Sequence, residues 1–563
     1  MPVPSHSLPC CPVFGDGTLF ALLEQTARRY PDRIALDFLG KSTSYRRLAG
    51  EVRTCARALQ ALGIRAGDRV TLALPNCPQA VCLFYAVSLA GGVANMVHPL
   101  SAEAELEDYL RQSDSRTVVT LDRLYPKLER VRRRVGPFRL ILTGIQDALS
   151  LPAKAGYLLT EGRKTEKIPA SAPVLRWKDF LRLSRFSPSL PAAGRSADDP
   201  AVILYSGGTT GTTKGVVLTS RNFNALSRQV IAVNPMFAPG DKMLAAMPLF
   251  HGFGLGVCIH TMLTQGGRCV LVPRFTPKSY AKDLVKHRCQ YLAGVPTLYE
   301  ALLAQPGMEG ADLSCLKGVF VGGDSLSPGL KARLDRFLRE HGATVQVREG
   351  YGTTETVTAC CLTPAHRQKA GSIGLPFPGN RVKIVDPGTG RELPCGEEGE
   401  ILLSGPTVMQ GYLGHPEETA RTLVTHSDGF TWVRTGDLGR VDSEGFVYFR
   451  GRAKRMIVSS GYNIYPARLE QLLDAHPAVG MSCVIGLPDP YKMQKVKAFV
   501  VPAEGVPPTE ATRQALLEHC RRHLPPYAIP GEIAFRTRLP QTPVGKVAYR
   551  LLEEEERSRM PPS

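Results

Sequence analysis

The chain has 563 residues, 43% hydrophobic and 21% charged. That is long enough for two to four packed units, too apolar for a disordered chain, and wrong in pattern for a collagen-like fibre or a coiled coil. Lysine and arginine outnumber aspartate and glutamate 69 to 51, a net charge of +18, which favours polyanionic partners: nucleotides, nucleic acid or an anionic membrane surface.

The fourteen cysteines form no C-x-x-C pair. That fits neither a disulfide framework nor a zinc site and points to free thiols in a reducing cytosol. Residues 1–20 carry no Lys or Arg before an apolar core and do not read as a signal peptide. Residues 70–102 lack charged side chains, yet Pro75, Pro78 and Gly91–Gly92 divide them into a strand (Val70–Leu74), a helix (Gln79–Ala90) and a strand (Val93–Val97). A helix of about 12 residues spans roughly 18 Å, short of the ~30 Å of a bilayer core, so a buried α/β unit is expected. The same holds for Met243–Gly267, broken by Pro248, His251, His260 and several glycines.

Residues 121–190 hold 15 Lys and Arg against 6 Asp and Glu, half of the net charge in an eighth of the chain. With Arg130-Val-Arg-Arg-Arg134 at its centre, the segment reads as a solvated surface insertion or as a contact for anionic lipid, at ~1 kcal/mol per basic residue near a membrane. Aromatic interleaving and reader motifs are missing, so nucleic acid is not expected. Leu140–Thr143, Ala201–Tyr205 and Val319–Val321 read as buried strands beside Gly-, Ser- or Pro-rich loops, the pattern of mostly parallel sheets. From Ile401 to Val458 the texture changes to short strands with turn signals. A last segment of about 110 residues, near the size of a small domain, contains expected helices at Pro466–Ala475 and Thr509–His523.

Five motifs carry chemistry. Tyr205-Ser-Gly-Gly-Thr-Thr-Gly-Thr-Thr-Lys-Gly215 follows an apolar strand. Its glycines let backbone N–H groups curl around phosphate oxygens, and hydroxyls and Lys214 neutralise charge. The spacing fails the G-x-x-x-x-G-K-[ST] pattern, so it is not a P-loop. In Glu349-Gly-Tyr-Gly-Thr-Thr-Glu355, Glu355 either caps a helix or supplies the hard carboxylate that Mg²⁺ on a triphosphate needs, and the tyrosine offers a purine a stacking face. Thr435-Gly-Asp437 reads as a tight turn whose aspartate can accept ribose hydroxyl protons. Gly451–Pro466 lies at the expected domain junction, and Leu539-Pro-Gln-Thr-Pro-Val-Gly-Lys546 is a loop presenting one lysine.

In this order the five motifs resemble the adenylate-forming superfamily of acyl-CoA synthetases, peptide-synthetase adenylation domains and beetle luciferases, over roughly residues 15–552. The resemblance implies an α/β fold: a large N-terminal domain (1–451) of mixed and parallel sheets flanked by helices with a small β-barrel-like subdomain, then a small α+β C-terminal lid (452–563) hinged at Lys454. It implies phosphate contacts from Ser206, Gly207, Gly208, Thr209, Thr210, Gly211 and Lys214, with Glu355 and Thr210 at Mg²⁺. Tyr351 would lie against the nucleotide base, Gly352 and Thr353 would contact the nucleotide, Thr354 would lie near the α-phosphate, and Asp437 and Arg452 would bind the ribose. Lys546 would bridge the acyl carboxylate and the α-phosphate. His251 would gate an acyl pocket floored by Gly322, Gly323 and Asp324, or else is a packed loop histidine, and Gly461 would line the CoA channel.

Amino-acid-activating relatives place an aspartate in the stretch that here reads Pro248-Leu-Phe-His-Gly-Phe-Gly254. Without it a substrate ammonium would be costly to bury, so amino acids are not expected, and Gly252, Gly254 and Gly256 are expected to leave room for a long, thin acid. The insertion resembles the membrane-proximal one of bacterial long-chain fatty acyl-CoA ligases. The expected activity is therefore ATP- and Mg²⁺-dependent ligation of a medium- or long-chain fatty acid to CoA through acyl-AMP, in the cytoplasm with peripheral contact at the inner membrane face. The alternatives are an acyl carrier protein as acceptor and a catalytically silent acyl- or nucleotide-binding relative; retention of Glu355 and Lys546 argues against silence. The chain departs from the family pattern at Thr213, where proline is commonest, at Asp324, where a small residue is commoner, and at Arg468, where glutamate is usual.

Overall fold

The computed structural model describes residues 17–160, 168–169, 171–187, 194–206, 213–459, 462–489, 492–542 and 545–559. The uncharged run folds as a strand Arg69–Ala73, a helix Pro78–Leu89 and a strand Val93–Met96. The helix is apolar on all sides, so it can only be a core element, and every residue from Gln79 to Ser88 is buried. Gly91, at φ +86°, ends it in a left-handed turn that costs glycine nothing. Among the described residues no helix is long and apolar enough to cross a membrane.

Those two strands pair in parallel with each other and with Thr117–Leu121 and Pro200–Ser206 inside an eight-stranded sheet. A nine-stranded sheet is built the same way: Lys242–Ala245, Arg268–Leu271, Tyr291–Gly294, Gly318–Val321 and Val347–Tyr351 run parallel, with antiparallel strands at its edges. Helices cross between successive parallel strands, as that connection requires, and one continuous apolar core fills the space between the sheets. The sequence from 381 to 452 forms an antiparallel five-stranded sheet around its own core of Ile384, Ile401, Leu403, Val433 and Val447. After it come a further five-stranded sheet and the helices Pro466–Asp474, Glu510–His523 and Tyr549–Arg559, with separate cores. Thr509 is the N-cap of the second of these, its side chain accepting from Thr512 N–H.

The basic cluster folds into the helix Tyr125–Val135 and is largely neutralised there. Arg130 pairs with Glu103 at 2.8 Å, Arg134 with Glu103 and with Glu107 (2.6 Å), and Arg132 with Glu129. Its formal charge thus overstates the positive surface it presents.

Candidate active site

The sheets deliver their motifs to one place. Ser206 ends its strand, Gly322 follows Gly318–Val321 and Tyr351 ends Val347–Tyr351, so all three sit at carboxyl ends of parallel strands, where open α/β sheets bind ligands. There a cavity of about 860 Å³ is bounded by Ser206, Lys214, Tyr351, Asp437, Arg452 and Lys546, drawn from the three N-terminal sheets and from the C-terminal segment. The loop expected to hold phosphate is entered from Pro200–Ser206 and left by Lys214–Thr219, an antiparallel pair. Gly207, Gly208, Thr209, Thr210 and Gly211 lie outside the described residues, as does Gly461, and of Lys454 only the backbone is described, in the short turn Ala453–Arg455.

Thr435-Gly-Asp437 is not a surface turn. It lies inside the long strand Thr431–Val441, where Gly436 takes φ +68° and the pairing with Gly399–Ser404 slips register. Glu400 braces this bulge, accepting from Gly436 N–H (3.0 Å) and from Arg434 (2.6 Å), and Thr435 Oγ1 donates to Ile401 O (2.6 Å). A bulge re-aims the next side chain, and Asp437 is thrown inward, where it is 1% exposed. Tyr351 Oη donates to Asp437 Oδ2 (2.6 Å), and Arg452 Nε lies 3.1 Å from Oδ1. Burial pushes the Asp437 carboxyl above the usual aspartate range, against the pull of Arg452 and Tyr351.

Glu355 follows Thr354 in a short 3₁₀ turn and accepts from Tyr412 Oη at 2.8 Å. Its other oxygen has no protein donor among the described residues, which also hold no cluster of three or more His, Cys, Asp and Glu. One carboxylate with a free oxygen fits Mg²⁺, which binds through one or two carboxylates plus substrate phosphates, and not a metal held in an all-protein cage. Tyr412 also lies under Lys214, whose Nζ is 5.2 Å from the ring centroid. Motif reading missed Tyr412, because only the long-range pairing of Gly411–Tyr412 with Val216–Val217 brings it here.

Lys546 is enclosed in the cavity; burial lowers its pKa below that of an ordinary lysine, with Asp324 opposing the shift. Its turn is pinned where Gly545 O accepts from Thr297 Oγ1 at 2.8 Å. A side chain on Gly323, itself at φ +84°, would stand 3.5 Å from Lys546 Cε. Asp324 is exposed on that same loop, accepts from Ser325 N–H (2.9 Å) and lines the cavity beside Gly322 and Gly323. Arg468 is exposed on its helix. His251 is held as a neutral imidazole, its pKa pushed down to about 3 by burial and by the Lys546 charge.

The glycines expected to open the acyl pocket do the opposite. A Cβ on Gly254 would stand 2.2 Å from Pro248 O, and one on Gly256 would meet Leu226 at 2.8 Å. They allow close packing around Phe253–Thr261, nine residues in π-helical geometry, a form common at functional sites. The apolar wall is made instead by Val230, Phe253, Val257, Phe320, Leu362 and Phe377.

Glu349 also faces the cavity, with one long hydrogen bond from Leu326 N–H (3.4 Å), and burial pushes its carboxyl up to about 7. The folded state therefore prefers its protonated form, and stability is lost as pH rises from the unfolded glutamate value through about 7. Glu349→Gln should be more stable than the wild type at pH 8, by roughly 1–2 kcal/mol after allowing for water in the cavity, and should match it near pH 4, below the unfolded glutamate value. Thermal unfolding at the two pH values checks this, and an equal difference at both would refute it.

Similarity to known proteins matches this geometry. Residues 23–413 match the AMP-binding enzyme family and residues 468–546 the AMP-binding enzyme C-terminal domain. The chain belongs to the AMP-binding enzyme family. It is 35% identical to a long-chain-fatty-acid–CoA ligase of Bacillus subtilis over 98% of this chain and 96% of the relative. It is 34% identical to a sulfoacetate–CoA ligase of Cupriavidus necator over 94% and 96%. Among solved structures, the anthranilate CoA ligase AuaEII in complex with anthranoyl-AMP superposes with a TM-score of 0.85 at 25% identity, covering 97% of this chain and 98% of that one. Acid–CoA ligation is common to these relatives and the acid is not. This AMP-binding enzyme is accordingly an acid–CoA ligase.

Proposed function

We propose that the enzyme activates a medium- or long-chain fatty acid to acyl-AMP and transfers the acyl group to CoA. The apolar wall of Val230, Val257, Phe320 and Phe377 beside Lys546 carries this reading, since a hydrocarbon chain needs burial without polar partners. A carboxylate is a poor electrophile because its leaving group would be oxide. Attack of its oxygen on the α-phosphorus of ATP forms acyl-AMP and expels pyrophosphate, after which the CoA thiol displaces AMP. The work is positioning and charge neutralisation.

Lys546 holds the acyl carboxylate against the α-phosphate, Asp437 and Arg452 hold the ribose, Tyr351 borders the base, and neutral His251 closes the acyl pocket without adding charge. Glu355 would hold Mg²⁺, which supplies countercharge to the phosphates when bound. The segment after 452 acts as a lid turning near Lys454, carrying Lys546 away before the thiol step.

Glu349 favours a second reading: an acid whose tail bears a hydrogen-bond donor could satisfy that carboxyl. Mass spectrometry of products from enzyme, ATP, Mg²⁺ and CoA with a panel of acids separates the two. The panel runs from acetate through long-chain fatty acids to aromatic and hydroxylated acids. Long-chain acyl-CoA with AMP is expected. Preference for hydroxylated or aromatic acids would overturn the fatty-acid assignment, and acyl-AMP without acyl-CoA would point to a carrier-protein acceptor.

A further inference from the structure

Asn234 lines the apolar part of the cavity together with Val230 and Phe320, and is itself buried. An alkyl chain has no use for an amide, so a polar side chain in that wall needs another reason. It follows the helix Ser220–Ala232 and its C-cap Val233. The amide is held at both ends: Nδ2 donates to Val230 O (2.6 Å), and Oδ1 accepts from Arg348 Nη1 (2.6 Å). Arg348 also donates through Nε to Thr363 O (2.7 Å) and through Nη2 to Val233 O (3.2 Å). Val233 O lies at the C-terminal end of that helix, where a cation is favoured. The guanidinium is buried, lies 5.6 Å from the centroid of the Phe320 ring, and forms no ion pair with a carboxylate among the described residues. Burial lowers its pKa to about 10, so it stays charged at neutral pH.

The strands give the depth of this group. Phe320 and Arg348 are register partners on adjacent parallel strands. Gly322 and Gly323 follow the Phe320 strand, and the side chain that Gly323 lacks would reach to 3.5 Å from Lys546 Cε. Residues two apart on a strand face the same side about 7 Å apart, so Phe320, with Arg348 and Asn234 against it, lies about that much further from the strand ends than Gly322. Behind Phe320 the Tyr291 ring lies parallel at 6.1 Å, and Phe237 packs 6.0 Å beyond Tyr291. Packed aromatics therefore back this end of the cavity.

We propose that Asn234, locked by Arg348, forms the end wall of the acyl pocket and sets the longest chain that the enzyme accepts. A methyl end that reaches Asn234 goes no further without displacing the amide. That displacement unmakes a hydrogen bond to a buried guanidinium and leaves the charge short of an acceptor. An aliphatic side chain could turn to another rotamer instead. The inference rests on the fatty-acid reading above and adds where the chain must stop.

The test is kcat/KM for acyl-CoA formation along a ladder of saturated acids from hexanoate to stearate, two carbons apart. The wild type should gain with length and then fall at one step. In Asn234→Ala the fall should come at least one step later. The ratio of kcat/KM for the first acid that the wild type rejects to that for the last it accepts should rise about tenfold, the scale of burying two further methylenes. Because each ratio is taken within one protein, loss of folded enzyme cancels. Asn234→Gln keeps the amide and adds a methylene, so its limit should move one step shorter, and it reads the wall where the alanine variant is too unstable to assay. A limit unchanged in both variants overturns the proposal, as does a uniform loss at every length or a wild type with no fall before stearate. Turnover of other acids and of no fatty acid would overturn the fatty-acid reading itself, and the end wall with it.

Discussion

Replacing Lys546 with alanine is expected to lower acyl-AMP formation by at least about a hundredfold, the scale seen when one charge-stabilising donor is removed from a reacting centre, while conversion of preformed acyl-AMP to acyl-CoA continues. The ammonium is the cation that the Gly545 turn and Thr297 hold inside the cavity. In the first step negative charge gathers on the α-phosphate and the approaching carboxylate; in the second the thiol meets an acyl carbon already activated by AMP. ATP–pyrophosphate exchange reads the first step, and thioester formation from synthetic acyl-AMP reads the second. Equal loss in both would end the assignment. Because burial lowers the Lys546 pKa, exchange by the wild-type enzyme should also decline with rising pH sooner than an ordinary lysine would dictate, as the ammonium loses its proton.

Asp437→Ala should damage both nucleotide binding and stability. The carboxylate is buried and shared by Tyr351 and Arg452; its loss leaves a hydroxyl without its acceptor, at about 1–3 kcal/mol, and a guanidinium without its counter-charge. Removing one partner of a fully buried pair costs about 3–5 kcal/mol. Arg452 is 41% exposed, toward the cavity, so the total should fall below the sum of these. The melting temperature should drop by several degrees and the KM for ATP should rise at least tenfold. Asp437→Asn keeps the shape and an oxygen for Tyr351, so most of the stability should return while the KM stays high. Recovery of both together would mean that Asp437 acts only as a packing residue. The carboxyl titrates above the usual aspartate range, so ATP affinity of the wild type should weaken on acidification before ordinary aspartates protonate.

Much of this molecule is local in origin and was legible in the chain. The helix within the uncharged run starts at Pro78 and ends before Gly91, one residue from each expected boundary, because a proline and a left-handed glycine act on their own neighbours. The Gly- and Thr-rich loop and the Glu355 motif stood out in the chain because phosphate and metal binding would need particular atoms in a short stretch of backbone, and Ser206, Lys214 and Glu355 line the same cavity.

What the chain did not reveal depends on partners distant in sequence. Asp437 read as a turn residue because nothing nearby discloses the bulge that Glu400 braces from another strand. Gly254 and Gly256 read as open space because a missing side chain looks the same whether it leaves a void or admits a neighbour, and only packing decides that the neighbour is Pro248 or Leu226. The arginines read as a free basic patch until Glu103 and Glu107, from the preceding helix, were brought against them. Residue type and spacing by themselves determined the family. Only the tertiary structure decided which charges are neutralised and which side chains are buried, since electrostatic screening and burial are set by what lies within a few ångströms in space.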